Sequence, residues 1–152
     1  MPQAVLNRGV SPEARFIEDA TRRDRKHLDK SSAIGMERVL RGELTEVWNE
    51  CQESNWDGYD ALPVSRDALQ NMRTFLEALP LGSQRPTIGA DPSGNLSVEW
   101  YRNPRRVLSV SVSAEDLLHY AALLGSSKTC GTETFFDEVP KSILDLVRRV
   151  YS

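Results

Sequence analysis

Leu96-Ser97-Val98-Glu99-Trp100-Tyr101 and Leu108-Ser109-Val110-Ser111-Val112-Ser113, joined through Asn103-Pro104, decide the fold class. Leu96, Val98 and Trp100 alternate with Ser97, Glu99 and Tyr101. Leu108, Val110 and Val112 alternate with Ser109, Ser111 and Ser113. A period of two belongs to strands with one face on a core and the other toward water. Asn103-Pro104 turns the chain between them. Just upstream, Pro86-Thr87-Ile88-Gly89-Ala90 reads as a short strand, and Asp91-Pro92-Ser93-Gly94-Asn95 is turn chemistry. Residues 86–113 are therefore expected to form an antiparallel meander with one dry face.

The stretch that follows, Ala114 to Leu124, supports two readings. Ser113 with Asp116 three residues on resembles a capping box, and Gly125 would be a C′ glycine, which makes a helix. Alternatively Ala114-Glu115-Asp116 is a hairpin turn, and Leu118, Tyr120 and Ala122 face the core of a fourth strand. Gly131 to Phe136 reads as a last strand, rich in β-formers. Pro140 opens a C-terminal helix carrying Ile143, Leu144, Leu146, Val147 and Val150, with Arg148 and Arg149 in its last turn, where the dipole favours cations.

Upstream of the strands the period is helical. Val39, Leu40, Leu44, Val47, Trp48 and Cys51 fall three and four apart, predicting an amphipathic helix over about 36–52, with Gly42 in its interior. Ser65 is a good N-cap for a second helix whose Leu69, Met72, Phe75, Leu76 and Leu79 line one face, stopped by Pro80 and Gly82. The expected fold is α+β: two N-terminal helices, a four- to five-stranded antiparallel meander sheet and one C-terminal helix. This is one domain over 34–152. Residues 1–33 read as a flexible polar and basic arm, because residues 21–30 hold five basic and two acidic groups and one aliphatic side chain. A short helix over about 12–26 is compatible with Ser11 as N-cap.

The whole chain has 152 residues and a formal charge of −3, which argues against a globally basic nucleic-acid binder. No run is long and apolar enough to span a bilayer, and the start lacks a signal-peptide pattern. Two cysteines, Cys51 and Cys130, are too few for a disulfide scaffold or a four-cysteine zinc site. A cytoplasmic location with reduced thiols is expected, with no membrane association, no metal and no cofactor. Walker A, G-x-G-x-x-G, G-x-S-x-G and C-x-x-C patterns are missing from the sequence, so phosphate-cradling and zinc-ribbon chemistry are not expected.

Asn55-Trp56-Asp57-Gly58-Tyr59, a Pro-led helix from Pro63 to Leu79, and then Gly94-Asn95-Leu96-Ser97-Val98-Glu99-Trp100 resemble a group of small, functionally uncharacterised bacterial proteins. Those carry W-D-G-Y, a helix ending L-P, then G-x-(L/I)-x-(V/L)-E-W and a tyrosine-bearing strand. Tyr120 and Gly131 would fill the last two features here. The resemblance covers about residues 46–150. It implies a setting in mobile elements or small operons, hence a protein partner, and a strand at 117–124. It implies no activity.

Four candidate constellations stand out. Trp56, Asp57, Tyr59 and Asp60 form an aromatic-bearing turn suited to binding a partner, since Trp and Tyr dominate interface hot spots. The competing reading is a tight Asp-Gly turn whose aromatics cap the core. Asp57, Asp60, Asp91 and Glu99, with His119, would make a hydrolase site if they converged, but no spacing enforces it; on a strand surface Glu99 is an ordinary solvated partner for Arg105, Arg106 or Lys128. Arg22, Arg23, Arg25 and Lys26, with Arg102, Arg105 and Arg106, would grip a phosphate backbone, with Tyr101 as a stacking platform. Cys51 reads as an inert core thiol, and Cys130 as an exposed one. The favoured expectation is a non-enzymatic protein–protein interaction module, an accessory subunit or operon partner in a bacterial mobile-element or defence-type system. The alternatives are a small nucleic-acid-binding protein and a carboxylate-based hydrolase.

Overall fold

The computed structural model describes residues 35–152. The expected arm, with Arg22, Arg23, Arg25 and Lys26, lies outside the described residues. Glu37–Ser152 forms one compact unit.

Helix α1 occupies residues 35–51. Leu40, Leu44 and Cys51, at helical spacing, are buried; Val39, counted with that face on periodicity, is turned outward. Helix α2, Arg66–Ala78, starts where Ser65 sits in an extended conformation and its hydroxyl accepts from the Ala68 N–H at 3.1 Å. That bond satisfies one of the four orphan donors of the first turn. Ala68, Met72 and Phe75 are its fully buried residues.

Five strands follow: β1 (Thr87–Ala90), β2 (Leu96–Asn103), β3 (Arg106–Val112), β4 (Leu117–Leu124) and β5 (Ser127–Thr134). They lie side by side in sequence order, every neighbouring pair antiparallel. Helix α3, Lys141–Tyr151, closes the fold with Pro140 as N-cap. The cross-strand register puts Leu96, Val98, Trp100, Leu108, Val110, Val112, Leu118 and Ala122 on one face. All are buried, and α2 and α3 pack against their strands. At the centre Phe75 of α2 meets the rings of Trp100 and Phe135 edge-on, with centroids 6.4 and 5.8 Å away. The Trp100 indole N–H donates to the Gln84 carbonyl at 2.8 Å, so the buried ring leaves no polar atom unpaired.

Residues 114–124 are resolved in favour of the hairpin. The Ser113 hydroxyl accepts from the Glu115 and Leu117 N–H groups, and Asp116 takes a left-handed φ of 59°. This is a three-residue hairpin loop rather than a helix N-terminus. A side chain 42 residues away helps decide it: the Asn71 amide, on α2, donates to the Ser113 carbonyl and to the Asp116 carboxylate. Gly125 is likewise no helix cap. It is the first residue of a two-residue turn, with φ 68°, that returns the chain from Leu124 to Ser127. The last strand consequently starts at Ser127, four residues earlier than the Gly131 start expected from β-formers, and ends at Thr134.

The other face of the sheet carries Ser97, Glu99, Tyr101, Ser109, Ser111, His119, Ala121 and Cys130, exposed or half-buried.

Candidate functional site

The turn after α1 is a hydrogen-bonded loop with one large aromatic turned out. Asn55, Gly58 and Asp60 all adopt left-handed φ, at 60°, 79° and 63°. Asn, Gly and Asp are the residues that enter this region at least cost. The Asn55 N–H donates to the Ala61 carbonyl at 2.8 Å, and the Asn55 side-chain oxygen accepts from the Asp60 N–H at 2.8 Å. Asp57 Oδ1 accepts from the Tyr59 and Ala61 N–H groups at 2.8 and 3.1 Å. Trp56 folds inward, half-buried, and its indole N–H donates to the Leu62 carbonyl at 2.8 Å.

The loop also leans on the β1–β2 turn. The Leu62 N–H donates to the Pro92 carbonyl at 2.9 Å. The Pro63 carbonyl oxygen lies 3.0 Å from where a Cβ on Gly94 would stand, so Gly94, at φ 91°, is needed both for its conformation and for the approach. What remains outside is Tyr59, 88% exposed, and Leu62, 57% exposed. The four residues of the turn thus divide. Trp56 and Asp57 hold the loop, Asp60 lends its unusual φ, and Tyr59 faces water. Leu62 carried no sequence signal of its own.

The carboxylates do not converge. Among the described residues, no group of three or more His, Cys, Asp or Glu side chains is placed to hold a metal. Asp57 is engaged in its own loop. Asp91 Oδ1 accepts from the Ser93 and Asn95 N–H groups, and Oδ2 accepts from the Ser111 hydroxyl at 3.0 Å. Oδ1 therefore serves the β1–β2 turn, and Oδ2 ties that turn to β3. Glu99 is exposed on the open face between Thr87 and Ser109, and forms no ion pair among the described residues. His119 shares that face, its Nδ1 3.0 Å from Thr132 Oγ1.

Of the basic hairpin residues, two serve helix α3. Arg102 Nη1 donates to the Ser152 carbonyl at 2.9 Å and Arg106 Nη1 to the Arg149 carbonyl at 2.7 Å. Carbonyls at a helix C-terminus have no intrahelical partner and carry its negative end, so cations settle there. Arg105 is exposed at the tip, where Asn103 Oδ1 accepts from its N–H at 2.9 Å.

Cys51 is buried, and burial, with Glu50 nearby, pushes its thiol above the ordinary value; Cys130 is exposed on β5. No helix among the described residues is long and apolar enough to cross a membrane.

Comparison of the chain with family models, with curated proteins and with solved structures returned no match.

Proposed function

We propose that this chain is a non-enzymatic protein–protein interaction module, an accessory subunit or operon partner in a bacterial mobile-element or defence-type system. It engages its partner through the loop that carries Tyr59. One observation carries this reading: a fully outward tyrosine on a loop whose main chain is pinned by Asn55, Asp57 and Pro92. A ring held on such a loop loses little entropy on docking, and Tyr supplies large contact area with only two rotatable angles. Leu62 beside it extends the apolar contact. The carboxylates are engaged in turns or dispersed, and two of the three hairpin arginines are engaged by α3. The reading therefore rests on binding rather than turnover or phosphate contact.

The test is affinity capture of the tagged full chain from its host, with and without nuclease, compared with Tyr59→Ala. The expected result is a stoichiometric protein that survives nuclease and is lost with Tyr59→Ala, while the far-ultraviolet spectrum and the unfolding midpoint stay unchanged. Capture that disappears with nuclease, or that is indifferent to Tyr59→Ala, would overturn the proposal.

A further inference from the structure

The two edges of the sheet are unlike. Edge strand β1 is four residues long and bracketed by Pro86 and by Asp91-Pro92. Short length and flanking proline are the usual protections of a sheet edge. Edge strand β5 has neither of these two, and its charged residues are Lys128 and Glu133. It is eight residues long, holds no proline, and pairs with β4 in one unbroken register from Leu117↔Thr134 to Leu124↔Ser127. Six of its eight residues are exposed. Among the described residues no strand lies on its outer side.

The turn dictates which groups face outward. A two-residue hairpin loop is closed by a pair that exchanges both main-chain bonds, here Leu124 and Ser127, and bonding pairs then alternate. Ser127, Thr129, Gly131 and Glu133 therefore bond inward to β4. Lys128, Cys130, Thr132 and Thr134 turn their N–H and C=O groups outward, unpaired among the described residues.

We propose that β5 pairs antiparallel with β5 of a second copy, about a two-fold axis through Cys130, to make one continuous ten-stranded sheet. Bringing the same outward edge of two copies together in parallel would turn one copy over about the strand axis and put the two dry faces on opposite sides of the sheet. The antiparallel pairing keeps them on one side, and it is the more stable ladder per residue. The antiparallel pairing sets Lys128 opposite Thr132, Ser127 opposite Glu133 and Thr129 opposite Gly131. The Tyr120 ring selects the register. It lies over Gly131, its hydroxyl 2.5 Å from where a Cβ would be. Centring the axis on Gly131 would drive the two hydroxyl tips together. Centring it on Cys130 offsets them by about 7 Å along the strands. The pairing adds about six main-chain hydrogen bonds, two for each of three bonding pairs. It brings the Cys130 Cα atoms to about 5.5 Å, inside the range a disulfide spans. Tyr59 is not on this strand, so this association and the loop interaction stand or fall separately.

Sedimentation equilibrium of the reduced full chain is the test, over roughly 10 µM to 1 mM, the range in which small interfaces associate. Thr132→Lys places a cation opposite Lys128 of the second copy, twice per dimer; Thr132→Glu places an anion there. The expected dissociation constants rank Thr132→Glu tighter than wild type and Thr132→Lys weaker, the two variants separated by about tenfold. Wild-type chain treated with a mild thiol oxidant should also give a dimer linked through Cys130, at a rate that rises with the dimer fraction. Thr132 is exposed, so both variants should keep the wild-type circular dichroism; if either does not, the Cys130 link alone decides. A chain that stays monomeric throughout, an association indifferent to the charge at 132, or the lack of a Cys130 link would each overturn the proposal.

Discussion

At the scale of single residues, Gly131 faces the closest approach met at any described glycine, that of the Tyr120 ring. The two residues are directly opposite on neighbouring strands, and a Cβ at 131 would sit 2.5 Å from Tyr120 Oη and 2.7 Å from Cζ. The ring thus covers a strand glycine that would otherwise expose bare backbone. Gly131→Ala must displace the ring and is expected to cost about 1 kcal/mol, at the low end of overpacking effects. In a Tyr120→Ser background the same substitution is expected to be neutral or stabilising, because glycine gives up more backbone entropy on folding than alanine. Urea unfolding of the two singles and the double closes this cycle; equal effects in both backgrounds would show that the ring does not restrict the site. The sequence places both residues on expected strands and among the features of a resemblance, but not against each other. Their contact depends on the β4–β5 register, which a linear string does not specify.

At the scale of elements, α1 shows what periodicity can and cannot say. Its buried residues, Leu40, Leu44 and Cys51, were legible at spacings of four and seven, whereas Val39 is 43% exposed. One position is about 100° around a helix, enough to leave the core stripe. Gly42 lies on the exposed side, and a Cβ there meets nothing within 4 Å among the described residues. It therefore serves no close approach, and Gly42→Ala is expected to stabilise the protein by about 0.5–1 kcal/mol, the helix-propensity difference. A rise in the urea midpoint at unchanged slope is the check; a fall would mean that position 42 packs against something. Residues 117–124 make the complementary point. Ser113 with Asp116 is common to a helix N-terminus and to this hairpin loop, because either way a hydroxyl accepts a nearby N–H. Asn71, reaching across from α2, bonds the hairpin form at two places and so favours it.

At the scale of the whole molecule, two phenol or thiol groups couple stability to pH in the same direction. Burial raises the Cys51 thiol above 9.0, with Glu50 adding to it, and burial raises the Tyr151 phenol above 10.0. A raised folded-state value means that the unfolded chain releases its proton first. The corresponding stability is present in full below the ordinary values and is lost as pH climbs through the raised ones. Stability should hold up to about pH 9 and fall beyond it, and Cys51→Ala should shallow that fall. Thermal unfolding of wild type and variant across pH 7 to about 10.5 measures this. Parallel curves would remove Cys51 from the account. Over the same range Cys51 should resist alkylation until the chain unfolds, while Cys130 reacts in the native state.

What the sequence determined by itself was local: alternation named β2 and β3, helical spacing named α1, α2 and α3, and turn residues named the Asp91–Asn95 connection. Those signals are legible because one side chain in two, or one in three to four, must be apolar to bury a face. The tertiary structure decided everything that depends on which groups meet. It made Arg102 and Arg106 caps of α3, engaged Asp91 with Ser111, kept the carboxylates apart, and turned Trp56 in and Tyr59 out. The physical reason is that a polar side chain takes the partner that register and packing bring within about 3 Å, and residues tens of positions apart cannot announce that distance in advance.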